Sequence, residues 1–277
     1  MTDPPAKSSI TAAGKVLAIL ETFGPGTRQL SLTTIARRSG LALATTHRIV
    51  GELSAWGAVE RAEDGTYGIG LRLWELASLA VRGPGLREAA LPFMEDLYEA
   101  TRENVQLAVL DGTELVFIER LAGRHAVRVH TRVGMRFPLT ASGAGLALLA
   151  YAPLPVAEAV LAAPLRRFTE KTVTDPAVLR TMIAQVRREG ASVSVGQVTL
   201  DSVSVGAPVF DGDQLVGALS VVVHAEGAHP TALMPLVRTT ARALSRTITA
   251  THPQPHSTPS AIRRTSVQPI RTSAPSP

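Results

Sequence analysis

The sequence predicts an α+β protein of two domains, a small helical domain that ends in a β-hairpin and a larger domain with helices around a central antiparallel sheet. Three observations predict this fold class. Segments with the apolar spacing of helices precede a hairpin signal within about the first 70 residues. Alternating, strand-like segments begin after residue 104, and an Asp-Gly sequence at residues 211–212 joins two of them. The chain has 277 residues, more than one typical domain needs.

Three helices are predicted in the first domain. Apolar residues recur at helical spacing over residues 10–23, and the Gly-Pro-Gly sequence that follows ends this helix. Ser31 is expected to cap a second helix of about two turns, because its hydroxyl accepts from free backbone N–H groups, and Gly40 offers a left-handed exit. The apolar spacing predicts a third helix over residues 42–56.

A β-hairpin follows the third helix. Two short strand-like segments flank residues 63–66, whose Asp-Gly pair favours a tight turn because that turn needs positive φ. Helix, helix, turn, helix and hairpin in this order predict a winged helix-turn-helix over residues 9–70, after a flexible N-terminus of residues 1–8. The third helix of such a domain fits the major groove of DNA.

We expect contacts with double-stranded operator DNA at the starts of the second and third helices and on the hairpin. Four arginines and no carboxylate occur between Gly24 and Gly51, a local charge that suits phosphate groups or, in the alternative, a solvated basic face. The candidate DNA contacts are Ser31, Thr33, Arg37, Arg38, Ala44, Thr45, Thr46, His47, Arg48, Thr66 and Tyr67. For Thr46 the favoured alternative is core packing.

A linker helix is predicted over residues 71–85. Its apolar residues are more than a short isolated helix tolerates, so the helix must dock against another surface. We expect this helix and the first domain to build a homodimer, or a tetramer of paired dimers, which presents two third helices to a palindromic operator.

The second domain is predicted over residues 86–250, with helices around an antiparallel sheet. Its predicted elements are an amphipathic helix (residues 86–101), a strand meander (105–133), a helix of small residues (141–151), a further helix (176–189), two strands (203–210 and 215–223) and a final helix (232–249).

Composition excludes several kinds of chemistry. The chain has no cysteine, which excludes disulfides, thiolate metal ligands and cysteine nucleophiles. No His, Asp or Glu cluster has metal-ligand spacing, and we expect neither a metal nor another cofactor. No segment is typical of a signal peptide or a membrane span, so we expect a cytoplasmic protein without membrane contact. Residues 251–277, rich in Pro, Ser and Thr, are predicted to be a disordered tail that carries Arg263, Arg264 and Arg271.

Five stretches, in this order and spacing, resemble the IclR-type transcriptional regulators over about residues 9–250. They are ILETF, LTTIARRSGLALATTHRIVGEL, YGIGLRLWELA, TASGAGLALLA and GAPVFDGDQLVGALSV. The resemblance implies a GAF-like second domain that binds a small-molecule effector, either an organic acid or an aromatic compound. The chain departs from the family pattern at Leu43, Ala44, Leu146 and Gln197, where members often carry other, mostly polar residues.

Carried over by position, the resemblance implies an effector pocket around the small-residue helix and the late strands. The candidate pocket residues are Val129, Phe137, Ser142, Gly143, Ala144, Ser194, Ser202, Ser204 and Ser220. The physical argument agrees at Gly143 and Ala144, because the free N–H groups at a helix start favour an anion. The serines have two open interpretations, as pocket hydroxyls or as the solvent face of a strand.

Two other functions compete with DNA binding. A winged helix also serves as a protein-interaction module. A hydrolase would use Ser142 with His125, His130 or His224 as the base, but the sequence around Ser142 lacks the GxSxG spacing of a nucleophile elbow.

Overall fold

A computed structural model describes residues 11–24, 26–80, 83–124, 126–129 and 131–251 of the 277-residue chain. Its contacts divide the chain into two compact units, Met1–Glu88 and Ala89–Pro277. The predicted flexible N-terminus, residues 252–277 of the predicted tail and the tail arginines lie outside the described residues.

The first unit is the predicted winged helix-turn-helix followed by a further helix. Its elements are α1 (Ala12–Leu20), β1 (Gln29–Leu30), α2 (Leu32–Ser39), α3 (Leu43–Trp56), β2 (Val59–Arg61), β3 (Tyr67–Ile69) and α4 (Leu71–Ser78). The strands form an antiparallel sheet in the order β1-β3-β2. The core of this unit consists of Ile19, Leu30, Ile35, Ile49, Val50 and Val59.

Local signals set the ends of α2 as predicted. The Ser31 hydroxyl accepts a hydrogen bond of 3.3 Å from the backbone N–H of Thr34, which satisfies one free donor of the first turn. Gly40 ends the helix at φ 70°, a left-handed conformation that glycine adopts without a steric penalty.

The second unit contains a six-stranded antiparallel sheet flanked by helices, as predicted. The strand order is β6-β5-β4-β9-β8-β7. The elements that follow α4 are α5 (Pro84–Thr101), β4 (Asn104–Asp111), β5 (Glu114–Leu121), β6 (Arg136–Pro138), α6 (Gly143–Tyr151), α7 (Leu154–Ala162), α8 (Pro176–Glu189), β7 (Ser192–Val195), β8 (Ser202–Asp211), β9 (Gln214–His224) and α9 (Pro230–Thr251).

The small-residue helix α6 is central to the core of this unit. Its residues from Gly143 to Ala150 are all buried, and it packs against β8, β9 and α8. The long helix α9 packs on β8 through Val237, Ala241, Leu244 and Ile248, and hydroxyls on it bond the backbone of the β8–β9 hairpin. The sheet therefore lies in the interior, where polar side chains need partners.

Some predicted elements differ from the observed ones. Helix α4 ends at Ser78, and α5 begins at Pro84 because proline is tolerated in the first turn of a helix. The strand meander, predicted over residues 105–133, ends at Leu121, and the next strand among the described residues is the short Arg136–Pro138. The sequence analysis did not predict α7 or β7.

The described helices include none with the combination of length and hydropathy that a membrane crossing requires.

Candidate functional site

The exposed start of α3 presents short polar and basic side chains. Ala44, His47 and Arg48 are exposed and Thr45 is half-buried. Thr46 is fully buried at 0% exposure, and its hydroxyl donates a 3.1 Å hydrogen bond to the carbonyl of Ala42. The candidate DNA contact at Thr46 is therefore wrong, because its side chain packs in the core and does not reach the surface.

Arg48 is exposed but paired. Its guanidinium lies 2.5 Å from the Glu52 carboxylate one turn along α3, and both side chains are about two-thirds exposed. Exposed pairs of this kind contribute only about 0.3–0.5 kcal/mol. A DNA phosphate can therefore replace Glu52 as the partner of Arg48 with little loss.

The candidates on α2 divide into capping residues and exposed cations. Ser31 Oγ lies 3.0 Å from Thr33 Oγ1 and 2.9 Å from Thr34 Oγ1, so these hydroxyls already bond one another around the helix start. Arg37 and Arg38 are exposed in the last turn, and Arg38 also donates to the carbonyl of Thr22. The charge on this helix lies at its C-terminal end, where cations are favoured.

The hairpin turn is held by Asp64. Its carboxylate accepts hydrogen bonds from the Thr66 hydroxyl at 2.6 Å and from the Thr66 backbone N–H at 2.9 Å. The hydroxyl bond is the main reason that the pKa of Asp64 lies below its ordinary value. The Thr66 hydroxyl is thus used within the turn.

The cation of the hairpin is Arg61, which the sequence analysis missed. Its guanidinium lies 5.8 Å from the centre of the half-buried Tyr67 ring. The signal was present in the sequence, because a tight Asp-Gly hairpin places Arg61 directly opposite Tyr67.

The second unit contains a small cavity on the face of the sheet that α6 covers. Its volume is about 40 Å³, far below the roughly 300–1,000 Å³ of a typical ligand pocket. A molecule larger than a few waters therefore requires its walls to move. The lining residues are Gln106, Phe117, Val129, Thr131, Phe137, Ser142, Ser194, Val198, Thr199, Ser202, Ser204 and Val222.

Six of the predicted pocket residues line this cavity: Val129, Phe137, Ser142, Ser194, Ser202 and Ser204. The predicted Gly143, Ala144 and Ser220 are buried but are not among the lining residues. The remaining lining residues were missed because they come from β4, β5, β9 and two loops that only the folded chain brings together.

The start of α6 rests directly on β8. A Cβ added to Gly206 would lie 2.4 Å from both the carbonyl carbon and the oxygen of Gly143, closer than any side chain permits. Ser142 caps the helix by accepting from the N–H of Gly145 at 3.1 Å, and Ser204 accepts from the N–H of Gly143 at 3.1 Å. The expectation that Gly143 offers a free N–H is therefore wrong, since the sheet already supplies its acceptor.

The serines of β7 and β8 face the interior, which excludes the solvent-face interpretation. Ser194 and Ser192 donate to the carbonyls of Ala141 and Gly143, both at 2.6 Å, and Ser202 donates to the carbonyl of Thr199. Ser220 is 0% exposed, and its hydroxyl has no hydrogen-bond partner among the described residues.

A polar network borders the cavity on the β4–β5 side. Gln106 donates to the Thr131 hydroxyl at 2.5 Å, and Arg120 donates to the Thr131 carbonyl at 3.1 Å. The Arg120 Nη2 and Nε atoms donate to the Asn104 side-chain oxygen at 2.7 and 3.2 Å, and Asn104 donates to the carbonyl of Val127. Burial lowers the pKa of Arg120 from its ordinary value, although a guanidinium stays charged.

The hydrolase alternative finds no geometric support. The Ser142 hydroxyl is engaged as a helix cap, and His224 is exposed at the end of β9. His125 and His130 lie outside the described residues. Within the described ranges, no cluster of His, Asp or Glu side chains is arranged to hold a metal ion.

Two family descriptions match the chain. The "IclR helix-turn-helix domain" matches residues 12–63, and "Bacterial transcriptional regulator IclR C-terminal" matches residues 79–246.

Individual relatives match over most of their length. The HTH-type transcriptional regulator BhcR of Paracoccus denitrificans is 33% identical over 204 residues, which are 73% of each chain. The HTH-type transcriptional repressor AllR of Klebsiella pneumoniae is 30% identical over 251 residues, 88% of this chain and 92% of the relative. The crystal structure of an IclR homolog complexed with 4-hydroxybenzoate, from Microbacterium hydrocarbonoxydans, is 36% identical with a TM-score of 0.82 and covers 85% of this chain and 98% of that one.

Proposed function

The chain belongs to the IclR family of bacterial transcriptional regulators, and on that premise we propose that it is a repressor which a small organic or aromatic acid releases from its operator. The family consists of DNA-binding regulators and not of enzymes. The relative AllR is named a repressor, and a solved homolog is complexed with 4-hydroxybenzoate.

The observation that carries DNA binding is the exposed, basic helix-turn-helix surface. The segment between Gly24 and Gly51 has four arginines and no carboxylate, and His47 and Arg48 are exposed near the start of α3. We assign the phosphate contacts to Arg37, Arg38, Arg48 and the hairpin residue Arg61, and base reading to Thr45 and His47. Ser31 and Thr33 act by holding the start of α2 in shape. Thr66 does the same for the hairpin turn.

The exposed helix α4 supports a homodimer. None of its residues is buried. Trp74 is 65% exposed, and Leu79, which directly follows the helix, is 78% exposed. A helix this short does not persist with such an apolar surface in water, and a second copy of the same helix would cover it. Dimers that present two α3 helices read half-sites about 34 Å apart, and pairs of dimers would form a tetramer.

The cavity between α6 and the sheet supports effector binding in the second unit. Phe117 and Phe137 provide apolar walls, while Ser204 and Thr131 provide hydroxyl groups. Rings fit between such walls, and oxygen atoms fit the hydroxyls. The acid shifts the protein away from its DNA-bound form only if it binds the DNA-free form more tightly.

The decisive experiment measures binding of the purified protein to labelled duplexes from its own promoter region. We expect tight binding at low ionic strength, a steep linear fall of log affinity with log salt, and release by an added acid. Absence of duplex binding at low salt would overturn the regulator function and favour a protein-interaction module. Duplex binding without release by any acid would overturn only the effector.

A further inference from the structure

The cavity is bordered by Arg120, a partly buried cation whose guanidinium donates to neutral acceptors in the described part of the chain. Arg120 bonds the side-chain oxygen of Asn104 and the carbonyl of Thr131. No carboxylate among the described residues forms an ion pair with it. Other arginines of the same unit, such as Arg136 and Arg180, do pair with carboxylates at the surface.

We propose that Arg120 recognises the carboxylate of the effector and selects acids over neutral molecules of the same shape. This inference rests on the proposed effector function of the cavity. It assigns the charge recognition to the β4–β5 side of the cavity. At the start of α6, two of the first backbone N–H groups already donate hydrogen bonds to Ser142 and Ser204.

The sheet register places Arg120 near one end of the cavity. Asn104, Val222 and Ser204 face one another directly across β4, β9 and β8, so they form one row of side chains on the same face of the sheet. Arg120 bonds the first member of this row, and the N–H of Gly143 bonds the last. Two strand spacings separate these ends, about 10 Å.

The row is polar at both ends and apolar between them. Val222, in the middle of the row, lines the cavity, as do Phe117 and Phe137. At the α6 end, the Ser204 hydroxyl already accepts from Gly143 and keeps its own proton to donate. The complementary ligand has a carboxylate at the Arg120 end, an apolar body, and an uncharged oxygen at the Ser204 end.

The bonds to Asn104 and Thr131 use three of the five N–H donors of Arg120, and a bidentate carboxylate would compete with one of these acceptors. A carboxylate is a stronger acceptor for a guanidinium than a backbone carbonyl, and it can bind in the bidentate mode. The acceptor that it would replace is the carbonyl of Thr131, a residue of the cavity wall. Exchange would therefore remove one of the two side-chain bonds that join Thr131 to the sheet, while the bond from Gln106 stays, and would loosen the wall of a cavity of only about 40 Å³.

The test compares carboxylates with their neutral amides by calorimetry on the full chain. The probes are 4-hydroxybenzoate with 4-hydroxybenzamide, and butanoate with butanamide. The variants are R120M, R120Q and R120K, and the matched control is R128M, which removes an exposed arginine from the loop that also holds Val129. Thermal unfolding and duplex binding check that each variant is folded.

We expect the wild type and R128M to prefer each carboxylate about 10- to 100-fold. R120M and R120Q should lose this preference, and R120K should keep part of it because the charge remains. The preference is a ratio within one variant, so partial unfolding does not change it.

Two results would overturn the proposal while the effector function stands: equal binding of acid and amide by the wild type, or an undiminished preference in R120M and R120Q. A wild type that binds DNA but none of the acids would overturn the acid effector and the Arg120 assignment together. Absence of DNA binding would overturn the regulator function alone, since calorimetry reports on Arg120 without DNA.

Discussion

The hydroxyl of Ser204 accepts a 3.1 Å hydrogen bond from the backbone N–H of Gly143, and this bond joins strand β8 to the first turn of α6. The two residues are 61 positions apart in the chain. The bond is buried, and it lies at the cavity, so the stability of the second unit and the shape of the cavity depend on the same contact.

Replacement of Ser204 by alanine should therefore destabilise the protein. The buried N–H of Gly143 would lose its acceptor, at a cost of about 1–3 kcal/mol in the free energy of unfolding. Chemical denaturation followed by circular dichroism measures this loss. As a control, Thr239→Ala removes an exposed hydroxyl on α9 and should change stability by less than about 0.5 kcal/mol. Equal effects of the two substitutions would contradict the prediction.

Gly206→Ala should be more harmful than its size suggests. The added methyl would lie 2.4 Å from the backbone of Gly143, and neither backbone can move without displacing α6 from the sheet. Overpacking of this kind costs about 1–3 kcal/mol or more. The control is Gly51→Ala in α3, where an added Cβ meets nothing within 4 Å and alanine should stabilise the helix by up to about 1 kcal/mol. Unfolding midpoints that shift in the same direction would argue against the observed packing.

Arg48→Ala should weaken duplex binding and its dependence on salt. If Arg48 contacts one phosphate, the slope of log affinity against log salt should decrease in magnitude by about 0.9. Glu52→Gln is the matched variant, because it removes the present partner of Arg48 and should strengthen binding. Fluorescence anisotropy over a salt series measures both slopes. An unchanged slope in Arg48→Ala would remove this residue from the contact surface.

Trp74→Glu should dissociate the proposed dimer. A charge in place of a 65% exposed ring would lie inside the shared surface of two α4 helices. Loss of such an anchor typically costs about 2 kcal/mol or more, which raises the dissociation constant by at least about 30-fold. Analytical ultracentrifugation measures the constant, and Glu75→Gln on the same helix serves as the control. A dimer unaffected by Trp74→Glu would place the interface elsewhere.

The hairpin turn should respond to acid through Asp64. Because hydrogen bonds from Thr66 lower the pKa of this carboxyl in the folded protein, the stabilisation they give is fully present above the ordinary value of 3.8. It is lost as pH falls through the lowered pKa. The amide resonance of Thr66 in a pH titration should therefore move with a midpoint below 3.8. Asp64→Asn keeps the acceptor and should abolish the movement, whereas a midpoint above that value would contradict the geometry.

The sequence predicted the parts of the fold that short stretches of chain decide. Helix α8 was predicted at its observed bounds, Pro176–Glu189, where Asp175 caps its start and Gly190 takes a left-handed conformation after its end. The Asp64 turn and the α2 caps belong to the same class, because each depends on backbone groups only a few residues away. The family pattern added Ser194 of β7 and Ser202 and Ser204 of β8, although not the contacts they make.

Only the tertiary structure decided which side chains share the cavity. Asn104 meets Val222, and Val222 meets Ser204, because of the order and register of strands far apart in the chain. A shift of one residue in that register would turn each of these side chains to the opposite face. The position of Arg120 beside neutral acceptors and the burial of Thr46 follow from the same long-range packing, which no local pattern of residues encodes.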